Sequence, residues 1–247
     1  MRIIFFDTET TGNSDNDRLC QLAMKERYID EPLVNALYKS PVPISIESMA
    51  IHHITEKMVA GKPAFRESPE YSSLKDLFES DEVVVVAHNA AFDLAMLARE
   101  GIVPKHVICT YKLAYALDPN DALPNYRLQY LRYLLDLDVE AEAHDALGDV
   151  LVLEALYDRL SQKMLERHGT EEAALEAMLA ISAKPLLFTT IRFGKYKGQK
   201  IEDVVKTDSS YLRWLLEQKK QAPVGEEDWI YTLEHFLKPS SPDTTPF

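Results

Sequence analysis

The sequence predicts an α/β protein: a mixed β-sheet flanked by helices, followed by a small C-terminal α+β unit. Three observations carry this expectation. The first forty residues hold three short β-rich segments. After them, strand-like apolar runs alternate with helical periodicity, the order that builds a sheet covered by helices. Beyond Lys184-Pro185 the charge balance changes sign: residues 184–220 carry nine Lys and Arg against four Asp and Glu, whereas residues 1–183 carry 17 against 31. The chain is therefore divided into a body, 1–183, a basic unit, 184–238, and a tail, 239–247, expected to be disordered from its Pro, Ser and Thr content.

The elements follow in order. A first strand runs from Arg2 to Asp7, and its apolar run, Ile3 to Phe6, is too short for a signal peptide. Two more are expected around Leu19–Tyr28 and Leu33–Lys39, before Pro41 and Pro43 break the pattern. Short helices belong between Ser45 and Ala60, and a longer one between Pro69 and Ser80. EVVVVA, Glu82 to Ala87, is β-branched and reads as a buried strand. Asn89 is by type an N-cap for the helix AAFDLAMLAREG, which Gly101 ends. Val107–Cys109 is a short strand with a helix through Tyr115, and Tyr126–Leu137 has helical spacing. Leu151, Ala155, Leu156 and Leu160 mark a long amphipathic helix. Thr170 caps another helix that runs to Ala183, and Lys184-Pro185 stops it. In the basic unit, Leu186–Phe193 is expected as a strand and GKYKGQK as a turn. Ile201–Lys206 and Ser209–Lys219 are expected as helices, with Asp208 or Ser209 capping the second. Trp229–Leu237 gives the last helix.

Composition narrows the function classes. The chain is 46% hydrophobic and 27% charged, as ordinary globular proteins are. No stretch approaches the ~20 apolar residues of a membrane span, so no membrane association is expected. The two cysteines, Cys20 and Cys109, show neither metal nor disulfide spacing, and a cytoplasmic location is expected. A net charge of −13 argues at first against nucleic acid. The basic segment answers it, because a phosphate chain responds to local charge.

Four acids and a histidine carry the chemistry. Asp7 and Glu9 are two apart on a strand and leave by the same face. Like charges that close raise each other's pKa unless neutralised, and a hard divalent cation, Mg²⁺ or Mn²⁺, is the usual partner. Thr10, Thr11 and Gly12 turn the chain at the strand's carboxyl end, where open α/β sheets carry their sites. Asp93, in the first turn of the helix after the Val83 strand, is aimed at the same edge. His144 and Asp149 bracket the start of the long helix. Five apart, they do not share a helix face and converge only if His144 lies in the loop before it. Taken singly, each has an ordinary reading as a solvated strand end, a helix-dipole partner or a partly exposed polar residue.

Together and in this order, FDTETTG, AHNAAFD and HDALGD resemble the three motifs of the DEDDh 3′–5′ exonucleases, over about the first two-thirds of the chain. MAIHHITEKMVAGKP (Met49–Pro63) and FGKYKGQKIEDVVKTDSSYLRWLLEQ (Phe193–Gln218) are similar to segments of that family's exonuclease X branch. The resemblance implies a ribonuclease-H-like fold, with Asp7, Glu9, Asp93 and Asp149 holding two Mg²⁺ or Mn²⁺ ions and His144 as general base. It implies hydrolysis of DNA from the 3′ end, single-stranded or frayed, with release of 5′-mononucleotides in repair or end processing. No small-molecule organic cofactor is expected. Thr8 and Thr10 would seat the terminal nucleotide, and Met49, Ile51 and His52 would pack against its base. Phe92 either wedges a base or fills the core; Asn89 either caps its helix or touches substrate. Lys195, Tyr196 and Lys197 read as phosphate and base contacts or as a basic surface turn, with Arg192, Lys200 and Arg213 extending the patch. Two alternatives stay open. One is an exoribonuclease on the same scaffold, since the acids do not sense a 2′-OH. The other is a polymerase-associated proofreading or binding subunit, although the segment after Pro185 does not look like a flexible tether.

Overall fold

A computed structural model of the chain describes residues 1–140, 145–221 and 225–238, which fall into two units, Met1–Lys184 and Pro185 onward. The tail 239–247 and His144 lie outside the described residues. In the first unit, β1 (Arg2–Thr10), β2 (Leu19–Glu26) and β3 (Val34–Leu37) form an antiparallel meander. Strands β4 (Val83–Ala87) and β5 (Val107–Cys109) add in parallel on the other side of β1. Among the described residues they make one five-stranded sheet in the order β3-β2-β1-β4-β5.

Strand β1 runs three residues past its expected end because its ladder with β2 continues: Thr8 pairs with Leu22 and Glu9 with Gln21, before a bulge between Glu9 and Thr10. The parallel ladder with β4 stops earlier, at Phe5 opposite Val86. Beyond that point the β4 side of β1 is open, and its backbone donors need another partner.

Period-two alternation sorts β1 between two cores. Phe5 packs with Val84, Val86 and Ile108 under α7 (Ala146–His168), with its ring edge-on to Tyr157 at 5.4 Å. Ile4 and Phe6 point the other way, against α3 (Tyr71–Phe78) and α4 (Ala91–Arg99), where Phe6 meets Phe78 at 5.2 Å. Asp7 and Glu9 continue the Phe5 series and therefore face α7. Helices α5 (Thr110–Ala116), α6 (Leu128–Leu134) and α8 (Glu171–Ser182) pack around α7. Thr170 caps α8 as expected, accepting from Ala173 N at 3.2 Å. Between β3 and α3 lie α1 (Ile46–His52) and α2 (Glu56–Val59).

Buried charge fixes α7 against the sheet. Lys25 is 5% exposed, and its Nζ reaches Glu154 Oε2 at 2.5 Å. Arg27 bonds Asp158 one turn further on, at 2.6 Å.

In the second unit the expected strand Leu186–Phe193 is not formed. The N–H groups of Leu186 and Phe188 donate to Asp228 Oδ1 (2.8 Å) and Thr232 Oγ1 (2.9 Å) on α10 (Glu227–Leu237), so a helix occupies the place of a second strand. A single bridge, Thr190 to Lys200, is all the pairing that remains among the described residues, and the unit is helical rather than α+β. Helix α9 (Ile201–Gln221) breaks at Asp208, where φ is −150° and ψ is 66°. Asp208 Oδ1 accepts from Tyr211 N (3.1 Å), so it caps the second half, as its residue type suggested. Trp229 packs between Phe188 (4.6 Å) and Phe193 (5.0 Å).

Truncating Lys25 to Ala removes the cation facing Glu154 at a largely buried interface and leaves it the Tyr28 N–H, which donates to Oε1 at 3.1 Å. The expected loss is about 3–5 kcal/mol of unfolding free energy, measured by urea denaturation; a loss under about 1 kcal/mol, the worth of a surface pair, would show that the bridge does not clamp α7.

Candidate active site

Three carboxylates converge where β1 leaves the sheet. One oxygen from each of Asp7, Glu9 and Asp149 lies within 4.8 Å of the others. Asp7 and Glu9 are delivered by strand alternation, and Asp149 by the first turn of α7. That turn is fixed by Asp145, the N-cap, which accepts from Gly148 N at 3.2 Å. Asp149 is fixed in turn by Gln129 on α6, whose Nε2 donates to Oδ1 at 2.6 Å. Arg132 donates to Gln129 Oε1 at 3.3 Å and also to the Val139 carbonyl, tying this support to the following loop.

Asp93 stands beside this trio, in the first turn of α4. Its Oδ1 accepts from both Thr8 N (3.1 Å) and Thr8 Oγ1 (2.6 Å). The backbone donor that β4 leaves unpaired is thereby satisfied, and the carboxylate is pinned to the open side of β1.

The electrostatics follow from crowding. Burial, then the charges of Asp93, Glu9, Asp149 and Asp145, hold the Asp7 carboxyl well above the usual carboxylate range. Burial first, and then Asp149, Asp93 and Asp145, push Glu9 up to about 8. Burial raises Asp93 to about 7 against the opposing effect of the Thr8 hydrogen bonds. Such a cluster retains protons at neutral pH unless a cation compensates it. An all-carboxylate, convergent donor set fits a hard divalent ion.

The other candidate residues divide. Thr8 is committed to Asp93, and Thr10 Oγ1 donates to Gly12 O at 2.8 Å. Ile51 and Phe92, with Thr8, Glu9 and Thr10, line a cleft of about 500 Å³ beside the acids. Met49 instead packs with Cys20, Ile44, Ile54 and Val59 beneath α1. His52 is buried; its Nδ1 accepts from Ile54 N (3.0 Å), so the proton sits on Nε2, which donates to Thr10 O at 3.1 Å. It braces the end of β1. Asn89 is not the N-cap of α4: it is exposed with φ of 59°, and Ala90 takes the cap position. Its contribution is the left-handed turn that Asn tolerates. Lys195, Tyr196 and Lys197 belong to the second unit, where Tyr196 Oη (2.6 Å) and Lys195 Nζ (3.2 Å) both bond Asp208 Oδ2. His144 lies outside the described residues.

Gln129, Asp145 and His88 escaped the sequence reading. Asp145 was findable, as an Asp directly before a helical run. His88 links Thr110 Oγ1 (2.9 Å) to the Tyr126 carbonyl (2.8 Å), and burial pushes its pKa down to about 4, so it is a neutral strut. Gln129 meets Asp149 only through the packing of α6 on α7 and leaves no local signal.

A mixed sheet of this order, with carboxylates gathered at the exit of its central strand, is the frame of a ribonuclease-H-like nuclease. The chain belongs to the exonuclease family: the model described as "Exonuclease" matches residues 4–157, and that described as "Exodeoxyribonuclease X-like C-terminal" matches 191–220. It is a 3′–5′ exonuclease, a hydrolase of phosphodiester bonds. It is 34% identical over 243 residues to Exodeoxyribonuclease 10 of Escherichia coli (strain K12), covering 96% of this chain and 99% of that protein. DNA polymerase III subunit epsilon of Treponema pallidum (strain Nichols) is 31% identical over 175 residues, 66% of this chain and 78% of that one. The structure of exonuclease X in complex with 5′ overhanging duplex DNA superposes with a TM-score of 0.56 at 29% identity, covering 73% of this chain and 99% of that chain. E. coli exonuclease I in complex with a dA16 oligonucleotide shares the fold, with a TM-score of 0.53 at 21% identity over 71% of this chain and 45% of that chain. Among the described residues no helix is long and apolar enough to cross a membrane.

The crowded acids predict an unusual pH dependence. The Glu9 carboxyl titrates near 4.3 when unfolded and about 8 when folded, so between these values the folded state holds the extra proton. Stability from this group is therefore present at low pH and lost as pH rises through about 8. In EDTA, the melting temperature should fall between about pH 6 and pH 8.5, Mn²⁺ should reduce the fall, and Glu9→Gln should flatten it. A melting temperature that is level or rising in EDTA would contradict the crowding.

Proposed function

We propose that the chain is a metal-dependent 3′–5′ exodeoxyribonuclease. It releases 5′-mononucleotides from DNA 3′ ends, single-stranded or frayed, in repair or end processing in the cytoplasm. The observation that carries this is the convergence of Asp7, Glu9 and Asp149 within 4.8 Å beside Asp93. The relative named an exodeoxyribonuclease and the neighbour solved on overhanging duplex DNA support the choice of substrate. In this reading residues 1–183 are the nuclease and 184–238 a basic unit that contacts nucleic acid.

Two Mg²⁺ or Mn²⁺ ions would be held by Asp7, shared, with Glu9 and Asp149 on one and Asp93 on the other. When bound, such a pair supplies an acidified water and charge stabilisation of the leaving oxygen in an in-line displacement. The chain's own residues do the rest. His144 takes the proton of the attacking water. Gln129 and Thr8 fix the orientation of Asp149 and Asp93, as outer-shell partners do. The cleft lined by Thr10, Ile51 and Phe92 receives the terminal nucleotide, with Phe92 and Ile51 offering apolar surface to its base.

Asp7→Ala should reduce digestion of an end-labelled DNA oligonucleotide by more than the ~10–100-fold typical of an outer-shell loss, and EDTA should abolish it in the wild type. Digestion by Asp7→Ala at the wild-type rate would sink the assignment. His144→Ala should lower kcat by about 10²–10⁴-fold with little change in KM; an unaltered pH–rate profile would remove His144 from the base role. Matched DNA and RNA oligonucleotides digested side by side decide the sugar, and faster loss of the RNA would favour the exoribonuclease reading.

A further inference from the structure

The second unit carries a built surface that the acidic centre does not use. The Tyr196 ring meets Tyr211 edge-on, with centroids 5.0 Å apart, and Tyr211 lies against Trp214 at 5.7 Å with planes inclined by 38°. Exposure rises along this row: Tyr196 and Tyr211 are half-buried, whereas Trp214 is 55% exposed. A water-facing indole on an ordered aromatic backing is a common mark of a binding surface.

The backing is rigidly assembled. Asp208, at the break in α9, accepts from Tyr196 Oη (2.6 Å) and Lys195 Nζ (3.2 Å) on one oxygen, and from Ser210 Oγ (2.6 Å) and Tyr211 N (3.1 Å) on the other. These bonds hold the Asp208 carboxyl well below the usual carboxylate range. Gly194 closes against the same helix. Its φ is 64°, and a Cβ there would come within 2.8 Å of Tyr211 Oη, so the FGKYKG loop is shaped to sit on this tyrosine.

Cations are interspersed with the row along the sequence. Lys206, Lys219 and Lys220 are paired with Asp203, Glu226 and Glu234. Lys197, next in sequence to Tyr196, and Arg213, next to Trp214, have no acidic partner among the described residues and are exposed.

We infer that this face binds single-stranded DNA, with Trp214 stacking on an unpaired base, Tyr211 supporting it, and Lys197 and Arg213 meeting phosphates. Aromatic stacking tolerates any base, and exposed, unpaired cations next to Tyr196 and Trp214 in sequence complement a phosphate chain rather than the apolar surface of a protein. The choice of DNA rests on the function proposed above; the surface itself does not.

The test uses the full chain in EDTA, so that nothing is cleaved, and a fluorescein-labelled oligothymidylate of about 20 nucleotides read by anisotropy. Trp214→Ala should weaken binding about tenfold, and Trp214→Phe should keep most of it. A blunt duplex, whose bases stay stacked, should be insensitive to Trp214→Ala. Lys197→Gln with Arg213→Gln should flatten the dependence of affinity on salt. Equal binding by wild type and Trp214→Ala would overturn the inference and leave a protein partner as the occupant of the face. An equal loss on blunt duplex would overturn the stacking. Failure of the wild type to digest DNA in Mn²⁺ is a separate result: it would overturn the nuclease reading without touching these binding measurements.

Discussion

Mutual repulsion among Asp7, Glu9, Asp93 and Asp149 is the constraint around which the first unit is arranged. In an unfolded chain these carboxylates would separate and hydrate. Folding brings three of them within 4.8 Å at the end of a buried strand, where desolvation and repulsion act together against ionisation. A site of this kind exists only because the surrounding structure is stable enough to impose it. A divalent cation held there, as proposed, would release the same unfavourable energy, so that the work done by the scaffold would reappear as affinity for the ion.

The scaffold meets that demand with a central strand and local hydrogen bonds rather than with loops. Strand β1 is paired on both sides through Phe5 and on one side beyond it. Its free side is closed by Asp93 through Thr8, so a group proposed to hold a metal also completes the backbone hydrogen bonding of the strand. Asp149 gains the same definition from Gln129, and the end of β1 from His52. Helix α7, which presents Asp149, is pinned by Lys25–Glu154 to β2 and by Arg27–Asp158 to the turn just after it. Side chains held on rigid elements by an outer layer of hydrogen bonds keep the tolerances that phosphoryl chemistry requires.

What was legible in the sequence was whatever obeys a short period. Asp7 and Glu9 share a face by strand alternation, and Asp93 and Asp149 occupy first helical turns; spacing made each a candidate, and the resemblance of the three motifs gave them one proposed role. Thr170 was readable as a cap from its residue type, and so was Asp208 as one of two candidates with Ser209. Asn89 misled because its residue type suits both a cap and a left-handed turn, and the backbone chose the turn. Leu186–Phe193 misled because apolar, β-branched composition reports burial and not the identity of the neighbour, and the neighbour here is a helix. Gln129 could not be read at all, since its contact with Asp149 depends on how two helices twenty residues apart are packed.

The charge distribution bears on the net charge of −13. At physiological ionic strength the screening length is about 8 Å, so a phosphate chain senses the charges it touches and little of the remainder. An acidic centre occupied by divalent ions no longer repels a terminal phosphate. In the second unit all three lysines of α9 are paired with acids of the same unit, which leaves fewer cations to release counterions from a nucleic acid. Electrostatics there can orient a strand but has limited affinity to give. In the binding proposed above, the exposed Trp214 would supply a contribution that salt does not screen. Strand binding by this unit should therefore lean more on stacking than its basic composition suggests.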